Sequence, residues 1–256
     1  MIAAGDGRPE LTAFQLEVAR MFFALPPARA SCWPGEQPCL HSTLRDGLPR
    51  TSPAGRRPGP YNLVPMTDTA GTVPGLSYLP GWLDEDAQRE LLGRIDAAPW
   101  SAQLRRRVQH YGHRYDYGRR AVAESAGQGA AAIPDWARAL AARLYGEAHL
   151  GQPADQVIVN EYLPGQGISA HVDCVPCFGP VVAAVSLGSA CIMDFTSPQG
   201  ADQVPVWLAP GSLSVMTGPA RYAWRHAIAA RKSDPAPGGR AARGRRVSVT
   251  FRTVLR

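Results

Sequence analysis

The sequence predicts a mainly β domain of the α+β class, a sandwich or barrel with a helical cap on its N-terminal side. Three observations predict it. Helical periodicity is confined to segments ahead of residue 151. Beyond Leu150 the chain breaks into short alternating runs separated by glycine and proline turns, the pattern of many evenly spaced strands. At 256 residues and 45% hydrophobic content the chain can bury a sizeable core.

Taken in order, the first 65 residues stand apart. They hold 10 of the 24 prolines and show no sustained periodicity from Pro26 to Pro65, so they read as a disordered tail. A short helix at Leu11–Ala24 is the exception, with Phe14, Val18, Met21 and Phe22 near one face, and Met66 offers an alternative start. Ordinary globular sequence begins at about Leu76. Residues 84–97 read as a helix: Asp84 can cap it, and Ala87, Leu91, Leu92 and Ile95 make an apolar stripe. A second helix runs over residues 134–150, with Pro134 suited to its first turn and Trp136, Leu140 and Leu144 repeating at four-residue spacing. Expected strands follow at 156–162, 181–187, 190–195, 204–208, 212–216 and 246–255. Pro164-Gly165-Gln166-Gly167, Gly188, Pro198, Gly200 and Pro210-Gly211 punctuate them.

Composition excludes several classes. No run approaches the roughly 18 apolar residues that span a bilayer. The N-terminus lacks the pattern of a signal peptide, so an intracellular, cytoplasmic protein with no membrane partner is expected. Five cysteines are too few and odd in number for a disulfide scaffold. The net charge of +6 resides in the C-terminal part: residues 162–256 carry 10 basic and 4 acidic side chains, against 17 of each before them. That suggests an anionic partner such as nucleic acid or a small polycarboxylate, although a chain whose only lysine is Lys232 also shows a general arginine bias.

Three patterns point to chemistry. In His171-Val172-Asp173 an imidazole and a carboxylate two residues apart on an extended segment face the same point. A second histidine, for which His226 is the best candidate, would complete a triad of two histidines and a carboxylate that holds non-haem Fe(II) with open positions. In the last strand, alternation sends Val247, Val249 and Phe251 to one face and Arg246, Ser248, Thr250 and Arg252 to the other. Two arginines and two hydroxyls make a carboxylate site or, in the plainer reading, the polar side of an exposed edge strand. In Asn160-Glu161-Tyr162 an amide and a phenol share a face and can hydrogen-bond a small acid.

Together, the order Asn-x-Tyr, Pro-Gly-Gln-Gly, His-x-Asp, a distant His and Arg-x-Ser-x-Thr-x-Arg resembles the AlkB family of Fe(II)/2-oxoglutarate dioxygenases. The strings His110-Tyr111-Gly112, Asn160 to Asp173, Ser186-Leu187-Gly188, Met216-Thr217-Gly218 and Arg221 to His226 are similar to those of the homologues related to the tRNA wobble-uridine hydroxylase. The resemblance runs from about Leu76 to Arg256 and implies a domain over 76–256 with its core at 154–256, the first 70 residues being an extension. The fold it implies is a double-stranded β-helix, or jelly roll, flanked by N-terminal helices.

The activity implied is oxidative hydroxylation or demethylation of a modified or alkylated base, in DNA repair or tRNA modification, with Fe(II) as cofactor and 2-oxoglutarate and O2 as co-substrates. By the same resemblance His171, Asp173 and His226 would bind iron. Arg246 would pair with the distal carboxylate of 2-oxoglutarate, Arg252 would orient Asp173 and the proximal carboxylate, and Asn160 and Tyr162 would hydrogen-bond the co-substrate. Residues 105–117, basic and aromatic together, offer His110, Tyr111 and Arg114 as a substrate lid that tracks phosphates and stacks a flipped base, or else Tyr111 and Tyr115 pack under the helices while the arginines are solvated. The rival readings are a non-catalytic nucleic-acid binder that kept the fold and an oxygenase acting on a protein side chain. Cys174-Val175-Pro176-Cys177 has the spacing of a zinc or redox pair, with no second pair to complete a zinc site, which favours a structural or incidental role.

Overall fold

The computed structural model describes residues 72–102, 104–113, 115–116, 121–122, 131–236 and 238–255. The expected helix at residues 11–24, the Met66 start and Arg114 lie outside them.

The described chain starts with strand β1 (Leu76–Leu79) and helix α1 (Glu85–Asp96). The Asp84 Oδ1 accepts from Ala87 N at 2.8 Å and caps α1, while Ala87, Leu91 and Ile95 are buried as the stripe requires. Strands β2 (Val108–Tyr111), β3 (Tyr115–Asp116) and β4 (Ala121–Val122) precede helix α2 (Asp135–Gly146), whose Trp136, Leu140 and Leu144 are buried. There follow β5 (Gln156–Tyr162), β6 (Ile168–His171), β7 (Phe178–Gly188), β8 (Cys191–Thr196), β9 (Gln203–Leu208) and β10 (Leu213–Met216). A short helix α3 (Gly218–Tyr222) leads to β11 (Arg225–Ile228), the hairpin β12 (Ser233–Ala236) and β13 (Gly239–Ala242), and the long β14 (Arg246–Val254).

Two antiparallel sheets form the sandwich. The larger has the order β1-β10-β7-β14-β5-β2 and the smaller β6-β11-β8-β9. One buried cluster draws Leu76, Tyr162, Val182 and Met216 from the first and Phe195, Val206, Leu208 and Ile228 from the second, so the inner faces share a core. This is the sandwich that the strand pattern predicts and the jelly roll that the resemblance implies.

The last strand departs from the plainer reading. β14 pairs with β5 on one side and β7 on the other, so it is central, not an edge. Val247, Val249 and Phe251 are fully buried on one face, and Arg246, Ser248 and Thr250 are buried on the other. Both faces are covered, which periodicity alone cannot reveal.

Candidate metal and keto-acid site

Strand register brings the motifs together. Residues directly opposite in an antiparallel pair share a face. On the inner face of the larger sheet Arg246 lies opposite Tyr162, Ser248 lies between Asn160 and Ser186, and Arg252 lies opposite Gln156. In the smaller sheet His226 lies directly opposite His171. Gly167 permits that approach: a Cβ there would stand 2.1 Å from the Ile228 carbonyl oxygen, so any side chain would push β6 off β11.

The His171 and His226 rings are 4.3 Å apart, and one ligand atom from each of His171, Asp173 and His226 falls within 4.8 Å of the others. Asp173 and His226 are buried, whereas the His171 side chain is 35% exposed at the mouth. The Nδ1 of His171 donates to the Ser169 carbonyl oxygen at 2.7 Å, which turns Nε2 toward Asp173 Oδ1, 3.7 Å away. Arg252 donates from Nε and Nη2 to Asp173 Oδ2 at 3.1 and 3.0 Å, so Oδ1 is the oxygen left facing the histidines. Burial opposes ionisation of Asp173, but Arg252 and the surrounding cations outweigh it and hold the carboxyl at about 2. Burial pushes His226 down to about 4. At neutral pH the cluster therefore presents the Asp173 carboxylate and a neutral His226 imidazole, protonation states that a divalent metal requires.

A second feature sits behind this cluster. Arg246 is 3% exposed and donates from Nη2 to Ser186 Oγ at 3.1 Å, yet among the described residues its Nε and Nη1 have no hydrogen-bond partner. A buried guanidinium with two open donors costs stability and is explained by an anion that completes it. The Tyr162 ring lies 5.5 Å below its Cζ. These residues fit Fe(II) and a dicarboxylic keto acid: two imidazoles and a carboxylate for the metal, an unfilled fork for a carboxylate.

A cavity of about 780 Å³ opens over the cluster, lined by His171, Asp173, Asn160, Arg252, Phe178 and Arg106 among others. Of the expected lid residues, Tyr111 and His110 do not line it. Tyr111 is buried at 7% exposure, packs edge-on against Trp136 at 5.9 Å and donates to Gln109 Oε1; it is core, not lid. His110 is half-buried on β2 opposite Ile158 and lines neither this cavity nor its neighbour. Arg114 is outside the described residues.

Two arginines were missed. Arg221, 2% exposed, donates to the carbonyls of Asp173, Cys174, Phe178 and Gly179 at 3.0–3.2 Å and so fixes the loop that carries Asp173. Arg106 donates from Nε to Asn160 Oδ1 at 2.9 Å. In the Arg221–His226 string only the terminal histidine carries a chemical signal, and nothing local marks the arginine's non-local partners. The pair Cys174 and Cys177 on the Arg221-held loop forms a disulfide.

The 2OG-Fe(II) oxygenase superfamily profile matches residues 75–252. The alkylated DNA repair protein ALKBH8 homolog of Arabidopsis thaliana is 32% identical over 75% of this chain and 61% of that protein. The tRNA (carboxymethyluridine(34)-5-O)-methyltransferase ALKBH8 of Macaca fascicularis is 31% identical over 71% of this chain. The chain spans only 30% of the length of that relative. The solved structure of OsALKBH1 has a TM-score of 0.54 at 19% identity over 70% of this chain and 97% of that one, a likeness of fold. No helix among the described residues is long and apolar enough to cross a membrane.

Proposed function

The chain belongs to the 2OG-Fe(II) oxygenase superfamily, among its AlkB homologues, and we propose that it oxidises a modified or alkylated base of a nucleic acid, in DNA repair or tRNA modification, in the cytoplasm. The observation that carries the site assignment is the open Arg246 fork behind the His171–Asp173–His226 cluster. When bound there, Fe(II) with 2-oxoglutarate and O2 supplies oxidative decarboxylation of the keto acid to succinate and CO2, coupled to hydroxylation of a C–H bond. An N-methyl group hydroxylated in this way leaves as formaldehyde, whereas an ordinary carbon keeps its alcohol.

The chain's own part is binding and orientation. His171, Asp173 and His226 hold the metal; Arg252 keeps Asp173 ionised and turned inward. Arg246 takes the distal carboxylate of 2-oxoglutarate, and Asn160 and Tyr162 line its path. The names of the relatives, and the half-exposed His171 at an open cavity, support a substrate too large to be engulfed, presented as a flipped or single-stranded base.

The test uses the full chain with Fe(II), ascorbate and 2-oxoglutarate, alongside mass spectrometry of nucleosides in DNA and tRNA from a deletion strain. Succinate formation that is abolished in His171→Ala with an unchanged circular dichroism spectrum, and one altered nucleoside, are expected. Turnover of an intact protein side chain with unaltered nucleosides would overturn the substrate reading.

A further inference from the structure

Arg106 is held where two cavities meet. The chain ahead of β2 continues alongside β5, with Glu161 N donating to the Arg107 carbonyl at 3.0 Å. Neighbouring residues then alternate. Arg107 turns outward to Glu161 with two bonds of 2.6 and 2.7 Å, while Arg106 turns inward to Asn160. Gln166 fixes the same segment from the other side, donating to the Arg105 carbonyl at 2.9 Å.

The cation so placed is underused. Arg106 has its Nε on Asn160 and its Cζ 6.0 Å from the Tyr162 ring, and among the described residues no hydrogen bond is made by its two terminal nitrogens. No carboxylate of the described residues pairs with it, whereas Arg252, the other arginine of the cavity wall, is taken by Asp173 and Gln156. The co-substrate does not need it either: Fe(II), Arg246 and Arg252 already outweigh the two carboxylates of a keto acid and Asp173. Arg106 is also the cation that lines both the iron-facing cavity and a second groove of about 550 Å³. The second groove runs past Gly167–Ala170 onto the other face of the smaller sheet, bordered by the exposed Arg105. Asp194 lines it too and would repel an anion set deep inside, which leaves the Arg105–Arg106 ridge as the anion position.

We propose that Arg106, with Arg105 beside it, is a binding contact that positions the substrate strand, gripping a phosphodiester next to the target nucleotide, and that the second groove receives the neighbouring nucleotide. The inference rests on the nucleic-acid reading above. A planar fork with two free donors suits the two unesterified oxygens of a phosphodiester, and the ridge lies beside the His171 mouth where a flipped base would enter.

Binding of fluorescein-labelled single-stranded DNA and of tRNA to the full chain, followed by anisotropy at several salt concentrations, tests it. Arg106→Gln should weaken the bound probe about tenfold and flatten the slope of log K against log salt by about 0.7–0.9, the signature of one lost phosphate contact. The exposed Arg105→Gln, which has no packing to lose, should weaken it about threefold in the same direction. Calorimetric affinity for 2-oxoglutarate should not change in either. A wild type that binds the probes while both variants bind them equally well overturns this inference alone, as does an Arg106→Gln chain that loses 2-oxoglutarate affinity and keeps the probe. A wild type that binds neither probe overturns the nucleic-acid reading and this inference with it.

Discussion

Two buried arginines are used in opposite ways. Arg221 spends its guanidinium on four backbone carbonyls, those of Asp173, Cys174, Phe178 and Gly179. Arg246, equally buried, makes one side-chain bond and leaves two nitrogens open. A saturated guanidinium stiffens what it touches; an unsaturated one stores unmet hydrogen bonding for a ligand. The same division separates Arg107, paired with Glu161, from its neighbour Arg106, whose terminal nitrogens make no hydrogen bond among the described residues.

Removing the saturated arginine should cost the most. Arg221→Met removes four hydrogen bonds to the carbonyls of the Asp173 loop and should destabilise the fold by about 3–5 kcal/mol, lowering the midpoint of thermal unfolding by roughly 10 °C or more, with 2-oxoglutarate affinity lost only as the loop loosens. Arg246→Met should do the reverse. It removes an uncompensated buried cation, so unfolding should shift little or upward, while the KM for 2-oxoglutarate rises about 100-fold, as expected for two charge-assisted bonds lost together. If both variants destabilise equally and bind the keto acid equally, the distinction drawn between the two arginines fails.

The outer staple gives an intermediate effect with a pH signature. Glu161, 1% exposed, accepts from Arg107 and from Arg245, and Arg245 also reaches Asp96. Bonding to Arg107 above all, opposed by burial, holds the Glu161 carboxyl below the usual range. A carboxylate depressed in the folded state contributes stability that is full above its unfolded pKa and is lost as pH falls through the folded value. Glu161→Gln should therefore cost roughly 2 kcal/mol at neutral pH by denaturant titration, and the gap from wild type should close in acid. The smallest effect belongs to Tyr111→Phe. It deletes one buried hydroxyl whose partner is Gln109, so about 1 kcal/mol of stability should go while nucleic-acid affinity stays put. A large loss of affinity would return Tyr111 to the substrate lid.

Much of this was legible from local spacing. The i, i+2 rule placed Arg246, Ser248 and Arg252 on one face and put His171 with Asp173, because pleat geometry is a property of neighbours in sequence. The α1 stripe and the Asp84 cap follow from helical period in the same way. What spacing leaves out is set by partners far along the chain. Arg221 bonds carbonyls more than 40 residues away, and Arg106 an amide 54 residues away; no local pattern separates either from a solvated arginine. The aromatic and basic run at 105–117 reads either as a lid or as packed tyrosines with solvated arginines, and the sheet sorts its described residues one by one. Arg106 goes to the cavity, Arg107 to Glu161 and Tyr111 to the core, because β2 and the chain before it lie along β5. Strand β11, only four residues long, gave no periodic signal, although it delivers His226 opposite His171.

The central claim, that a three-residue metal cluster and the Arg246 fork form one keto-acid site, is tested most directly by anaerobic calorimetry of Fe(II) followed by 2-oxoglutarate. One Fe(II) per chain should bind and be lost in His226→Ala, and 2-oxoglutarate should then bind the iron-loaded wild type but fail in the iron-loaded Arg246→Met chain. Iron binding untouched by His226→Ala, or keto-acid binding untouched by Arg246→Met, would contradict it.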